Sequence, residues 1–254
     1  MSLHHIMSKM SGIPIFFCTG ALIDPTHVLT AAHCLYTPRK VWDDGFIDIV
    51  VMLANNNKED LHPQHAAVNV SRIHAHPSYN DDTYLSGNQW NQSDVAVLTL
   101  AAPVQYSHKI RPICLPSSPG QDYGGKDAVA AGYGLGEDDV NQHELMKKIV
   151  TVSPDEECRK RNNNDKVICS SKPCGPAACS PDLRSGDSGS ALNLKENGRS
   201  VDFQSFCLHT LKALPTSYKL ACSYKIAKAR GKPTEAGYKL AAMQASYQLE
   251  LAVF

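Results

Sequence analysis

Short runs of aliphatic and β-branched residues, separated by clusters of Pro, Asn, Asp and Gly, dominate the first half of the chain. The runs at 15–17, 28–30, 47–54, 68–73 and 95–100 have strand length and turn formers between them. Helical periodicity is scarce from 15 to 113. Strands of this length and spacing predict an antiparallel sheet that is closed or sandwiched, which leaves few unpaired edges. A second set follows at 128–131, 146–152, 167–169 and 191–194. The natural division between two all-β halves falls near Arg111-Pro112-Ile113-Cys114-Leu115-Pro116.

The texture changes near Ser200. Lys- and Tyr-containing stretches, Tyr218-Lys219-Leu220-Ala221 and Tyr238-Lys239-Leu240-Ala241, replace alternation and form a weak local repeat. Residues 234–254 are poor in Gly and Pro and carry Leu240, Met243, Tyr247, Leu249 and Leu251. That pattern predicts an amphipathic helix packed on a barrel. The expected organisation is one domain over 1–232, with barrels at about 1–113 and 114–232, and a helical tail at 233–254.

Composition narrows the functional classes. With 254 residues, 43% of them hydrophobic, the chain can bury a substantial core. The 25 basic residues balance the 25 acidic ones, so no broad field favours nucleic acid or an anionic membrane as partner. No apolar run reaches eighteen residues, and the opening Met1-Ser2-Leu3-His4-His5 lacks the basic start and apolar stretch of a secretory signal. Nine cysteines, at 18, 34, 114, 158, 169, 174, 179, 207 and 222, are too scattered for a zinc finger and read better as disulfides. Their odd number leaves one unpaired or bonded to another chain. Two sequons, Asn69-Val70-Ser71 and Asn91-Gln92-Ser93, fit a glycosylated extracellular protein.

Three strings carry the chemistry: Ala31-Ala32-His33-Cys34, Asp94-Val95-Ala96-Val97-Leu98 and Gly186-Asp187-Ser188-Gly189. A serine hydroxyl is a poor nucleophile until an imidazole takes its proton, and a buried carboxylate fixes which imidazole nitrogen is free to do so. The order His33, Asp94, Ser188 and the surrounding segments, above all the run from Cys18-Thr19-Gly20-Ala21-Leu22-Ile23 to Cys34, resemble the trypsin-like serine proteases over about residues 11–198. An α/β-hydrolase fits poorly, because its elbow wants Gly where Ser190 stands and its acid and histidine should follow the serine.

The resemblance implies an all-β fold of two antiparallel six-stranded β-barrels packed face to face, with a C-terminal helix. It assigns His33, Asp94 and Ser188 to catalysis and the amides of Gly186 and Ser188 to an oxyanion hole. Asp187 becomes the acid that pairs with a new N-terminal ammonium after activation. Asp182, six residues before Ser188, either lines a pocket selecting Arg or Lys or faces solvent beside Arg184. The implied disulfides are Cys18 to Cys34 and Cys158 to Cys169, with Cys174, Cys179, Cys207 and Cys222 left open. Cys114 matches a cysteine that many relatives bond to an upstream pro-segment.

Departures also stand out. Arg184 occupies a position where the family has cysteine, residues 172–181 resemble an insertion, Tyr133 stands where Trp is usual, and Ser190-Ala191 replaces Gly-Pro. Ser205-Phe206-Cys207 is the nearest match to the cleft-lining strand. No activation sequence is visible, so the chain as written is expected to be zymogen-like or weakly active. No metal or organic cofactor is needed: Asn55-Asn56-Asn57-Lys58-Glu59-Asp60 reads as a polar turn, and His74 and His76 as part of a strand-to-turn segment. The implied function is a secreted serine endopeptidase cutting polypeptides after basic residues, with protein inhibitors as further partners. The alternative is a catalytically impaired homologue acting by binding.

Overall fold

The computed structural model describes residues 3–10, 13–35, 49–57, 66–77, 79, 94–115, 122–134, 143–162, 187–196 and 199–204. Six strands close a barrel in the order β1 (Leu3–Met10), β2 (Ile13–Leu22), β3 (His27–Thr30), β6 (Ala96–Leu100), β5 (Ala66–Ala75) and β4 (Ile49–Leu53). Closure comes from β1, which pairs antiparallel with β2 on one side and with β4 on the other. A barrel closed this way has no free edge to protect.

Continuous apolar runs such as Ala96-Val97-Leu98 arise because these strands are buried on both faces. Successive side chains of a strand point to opposite sides. Val28, Ala96, Leu98 and Leu100 therefore point into the barrel core with Ile6, Leu22, Val51 and Leu53. Leu29, Val95 and Val97 face the other way, onto a seam shared with Ala131, Ile113, Leu115 and Ala191. Each fully buried aliphatic side chain contributes about 1.5–3 kcal/mol.

The second unit is an antiparallel sheet in the order β10 (Arg199–Gln204), β9 (Ala191–Glu196), β7 (Asp127–Gly132) and β8 (Met146–Thr151). Its core gathers Cys114, Tyr123, Ala128, Ala130, Val152, Leu192 and Leu194. Polar ties reinforce the seam. The Ile113 amide donates to the Leu22 carbonyl at 2.8 Å, and the Leu145 amide to the Asn56 carbonyl at 2.9 Å. The buried Tyr133 hydroxyl donates to the Asn55 carbonyl at 2.9 Å while its ring meets Phe16 edge-on. Burial pushes the Tyr133 phenol well above its ordinary range, so it stays a donor. Asn55 follows Ala54, whose φ of 58° is the left-handed conformation that a non-glycine residue adopts at a cost of about 1–2 kcal/mol.

The all-β expectation is met, and the first unit is the expected closed six-stranded barrel. Two elements were not anticipated: β10 and the helix α1 (Asp155–Asn162). The helix opens with Asp155, Glu156 and Glu157, which suit the positive end of its dipole, and Cys158 is buried. The expected strand at 167–169 and the helical tail at 233–254 lie outside the described residues. The polar-turn reading of the Asn55 segment holds where it is described, since the Asn55 side chain accepts the Asn57 amide at 2.8 Å.

On β5, burial first, then the nearby charges of His27 and Arg72, lowers the His74 pKa below its ordinary 6.5. The folded state then holds fewer protons than the unfolded chain under mild acid. Stability from this group is present above about pH 6.5 and is lost as pH falls through the folded value. In melts between pH 7.5 and 5, His74→Gln is expected to flatten part of the acid-side decline in Tm; an unchanged slope would remove His74 from the account.

Candidate active site

His33 sits in a short 3₁₀ turn, Ala32–Cys34, at the end of β3. Ala31 and Ala32 are buried at 2% and 0% exposure, so small side chains let this turn press against the barrel. A disulfide joins Cys34 to Cys18 on β2 across a separation of 16 residues, with the Cα atoms 6.2 Å apart. Closing a loop of that size stabilises by about 3 kcal/mol in the chain-entropy account. It also anchors the residue beside the imidazole.

Asp94 precedes β6, whose register sets Ala96 opposite Thr30. The pairing therefore delivers a carboxylate from 61 positions away to the histidine turn. Asp94 Oδ1 accepts the His33 backbone amide at 2.8 Å, and Oδ2 lies 2.6 Å from His33 Nδ1. The two side chains are 7% and 15% exposed. With Nδ1–H committed to the carboxylate, Nε2 is the ring nitrogen that bears the lone pair. That nitrogen lies 3.9 Å from Cys34 Sγ.

Ser188 lies in a turn closed by the Ser190 amide donating to the Asp187 carbonyl at 2.9 Å. The turn is docked on the first barrel: the Thr19 amide donates to the Ser188 carbonyl at 2.8 Å. Thr30 Oγ1 donates to the Thr19 carbonyl at 2.9 Å, and both threonines are fully buried. Gly189 has φ +79°, and a Cβ there would run into the Thr19 carbonyl and Thr30 Oγ1 and lie 3.2 Å from the Ala31 amide. The serine turn thus rests on β2 and on the end of β3 that leads into the histidine turn. Thr19 and Thr30 were not singled out from the sequence; two threonines inside apolar strands were the available signal.

The Asp187 carboxylate is set over a small-residue bend, where Oδ1 accepts the Gly134 amide at 2.8 Å. Side chains at Gly132 or Gly134 would collide with that carboxylate. Gly186, Asp182, Cys169, Asn91 and the four cysteines left open lie outside the described residues. Asn69 is on β5 and exposed. Cys114 and Cys158 are both disulfide-bonded, their partners lying outside the described residues. Cys18, His33 and Cys34 bring three potential metal-binding atoms within 4.8 Å of one another, but the disulfide consumes both sulfurs. Among the described residues no helix is long and apolar enough to cross a membrane.

A closed antiparallel barrel docked on a second antiparallel sheet, with an acid-braced histidine and a serine turn at the seam, is the architecture of the chymotrypsin fold. The family model described as Trypsin matches residues 5–206, and the chain belongs to that family. It is 31% identical over 199 residues to phenoloxidase-activating factor 3 of Holotrichia diomphalia, covering 73% of this chain and 53% of that protein. It is 29% identical to melanization protease 1 of Drosophila melanogaster, covering 76% and 51%, and 29% identical to the urokinase-type plasminogen activator of Gallus gallus, covering 76% and 45%. The chain spans about half the length of these curated relatives.

Substituting Gly189→Ala adds both a forbidden backbone conformation and a collision with two backbone-anchoring groups. The expected loss is about 3 kcal/mol or more, read as a lower urea midpoint at unchanged m. A loss below about 1 kcal/mol would mean the turn is not seated on Thr19 as described.

Proposed function

We propose that this chain is a secreted serine endopeptidase whose catalytic residues are Ser188, His33 and Asp94. The reading rests chiefly on the two-point hold of Asp94 on the main chain and ring of His33, which leaves Nε2 as the base. Membership of the trypsin family supports the reaction class. Two of the relatives are named for activating another protein, which favours a polypeptide substrate cut at few places.

In the proposed reaction His33 Nε2 takes the Ser188 proton as Oγ attacks the scissile carbonyl carbon. The amides of Gly186 and Ser188 receive the developing oxyanion, a contribution of about 3 kcal/mol per donor. His33 then returns its proton to the leaving amine, giving an acyl-enzyme that water hydrolyses by the same steps in reverse roles. Asp94 orients the ring and stabilises the imidazolium without taking the proton. Asp187, held over Gly132 and Gly134, is the acid that receives an activating N-terminal ammonium. Asp182 sets the preference for Arg or Lys before the cut, the Cys158 bond runs to Cys169, and Asn69 and Asn91 carry glycans.

Expressed with its natural flanking sequence and processed, the protein is expected to be labelled stoichiometrically by a peptidyl phosphonate, and Ser188→Ala to abolish labelling. Asp94→Asn should lower kcat by about 10⁴ by holding the wrong tautomer. A processed wild-type protein that takes up no label would overturn the reading. Specificity is tested separately with peptide libraries. Cleavage is expected after Arg and Lys, with Asp182→Ser costing about 10²-fold or more in kcat/KM on those substrates, the scale of a lost buried ion pair. Equal cleavage after apolar residues would remove Asp182 from the pocket.

A further inference from the structure

Ser190 joins the serine turn to β9 and is 6% exposed. Among the described residues its hydroxyl oxygen is the buried side-chain polar atom with no hydrogen-bond partner. Burying a hydroxyl without a partner is unfavourable, and such an atom calls for a group it can reach. One stands beside it. A Cβ built on Gly132 would collide with Asp187 Oδ1 and lie 2.8 Å from Ser190 Oγ. Carboxylate and hydroxyl therefore share one small space above the Gly132 backbone, and a side chain at residue 132 would evict both.

The main chain already couples the two residues, because the Ser190 amide closes the turn on the Asp187 carbonyl. We propose that Ser190 is a positioning residue: its hydroxyl donates a hydrogen bond to the Asp187 carboxylate and locks the turn that carries Ser188. The Ser190 hydroxyl is then a donor to Asp187 in addition to the Gly134 amide. Ser188 lies between the two locked residues, with its carbonyl fixed by Thr19. Its amide and hydroxyl are thus confined from both ends. The bond to a charged acceptor is of the stronger kind, and it replaces an orphaned group with a satisfied one.

This role rests on the protease reading for its catalytic consequence, and the test separates the two. Ser190→Ala removes one oxygen atom and no packing carbon. In the processed protein it is expected to slow phosphonate labelling of Ser188 and to lower kcat about tenfold, the size of one lost hydrogen bond, with KM within about twofold of wild type. Exchange of the Gly134 amide should accelerate by a similar factor, and Tm should not rise. A merely orphaned hydroxyl gives the opposite: Ala raises Tm, and kcat and exchange stay as in wild type, which would overturn the proposal. If wild type itself fails to react, the protease reading falls, and Gly134 exchange still decides the matter. Faster exchange in the variant supports the lock, and unchanged exchange refutes it.

Discussion

A buried carboxylate needs donors, and Asp94 finds them in the main-chain amide and the ring of one residue, His33. This is the constraint around which the described geometry is arranged. A single bond to the ring would leave the imidazole free to swing about that contact. Adding the backbone amide makes the carboxylate a rigid bracket, so ring orientation follows from the chain path. That path is in turn fixed by the Cys18–Cys34 bond and by the pairing of β3 with β6. Removing the imidazole would take away one of the two bonds that His33 gives to the buried Asp94, and breaking one side of a buried pair commonly costs about 3–5 kcal/mol. The local fold and the imidazole are therefore coupled.

The bracket lies at the seam because the strands that supply it are shared. β3 and β6 give one face to the barrel core and the other to the contact with the second unit. A strand buried on both sides cannot shift by one residue without exchanging its two sets of side chains. This fixes the register that brings Asp94 to His33. The serine turn comes from the other unit but is hydrogen-bonded to Thr19 on β2, so its position is referred to the same barrel.

Much of this was readable in the sequence, and the reasons differ by element. β4 announces itself as an unbroken apolar run, and β3 and β6 as short runs in which apolar residues adjoin His27, Thr30 or Thr99, since double-sided burial favours it. The ordered strings around His33, Asp94 and Ser188 mark the site through local residue chemistry. By contrast β1, Leu-His-His-Ile-Met-Ser-Lys-Met, has no clear alternation. It is a strand because two neighbours hydrogen-bond to it, a fact of tertiary pairing that propensity does not encode. The helix α1 is short and almost wholly charged, with no apolar stripe to find. The partners of Cys114 and Cys158 are not legible, because cysteine pairing depends on the path of the chain and sequence alone supplies only the positions.

The same distinction explains why the support around Asp187 escaped notice while Asp187 itself did not. An acid beside a serine in a glycine-rich string is a local signal. The space above Gly132 is assembled from residues more than fifty positions away, and glycine there matters for what it leaves empty. Two glycines flanking Tyr133 give the backbone close approach to a carboxylate, while the buried tyrosine between them reaches Asn55 across the seam. One three-residue bend thus joins the two units with its side chain and supports the serine turn with its main chain. Larger residues at either glycine position would close the space that the Asp187 carboxylate fills. The bend must therefore keep its small residues whatever the neighbouring strand prefers.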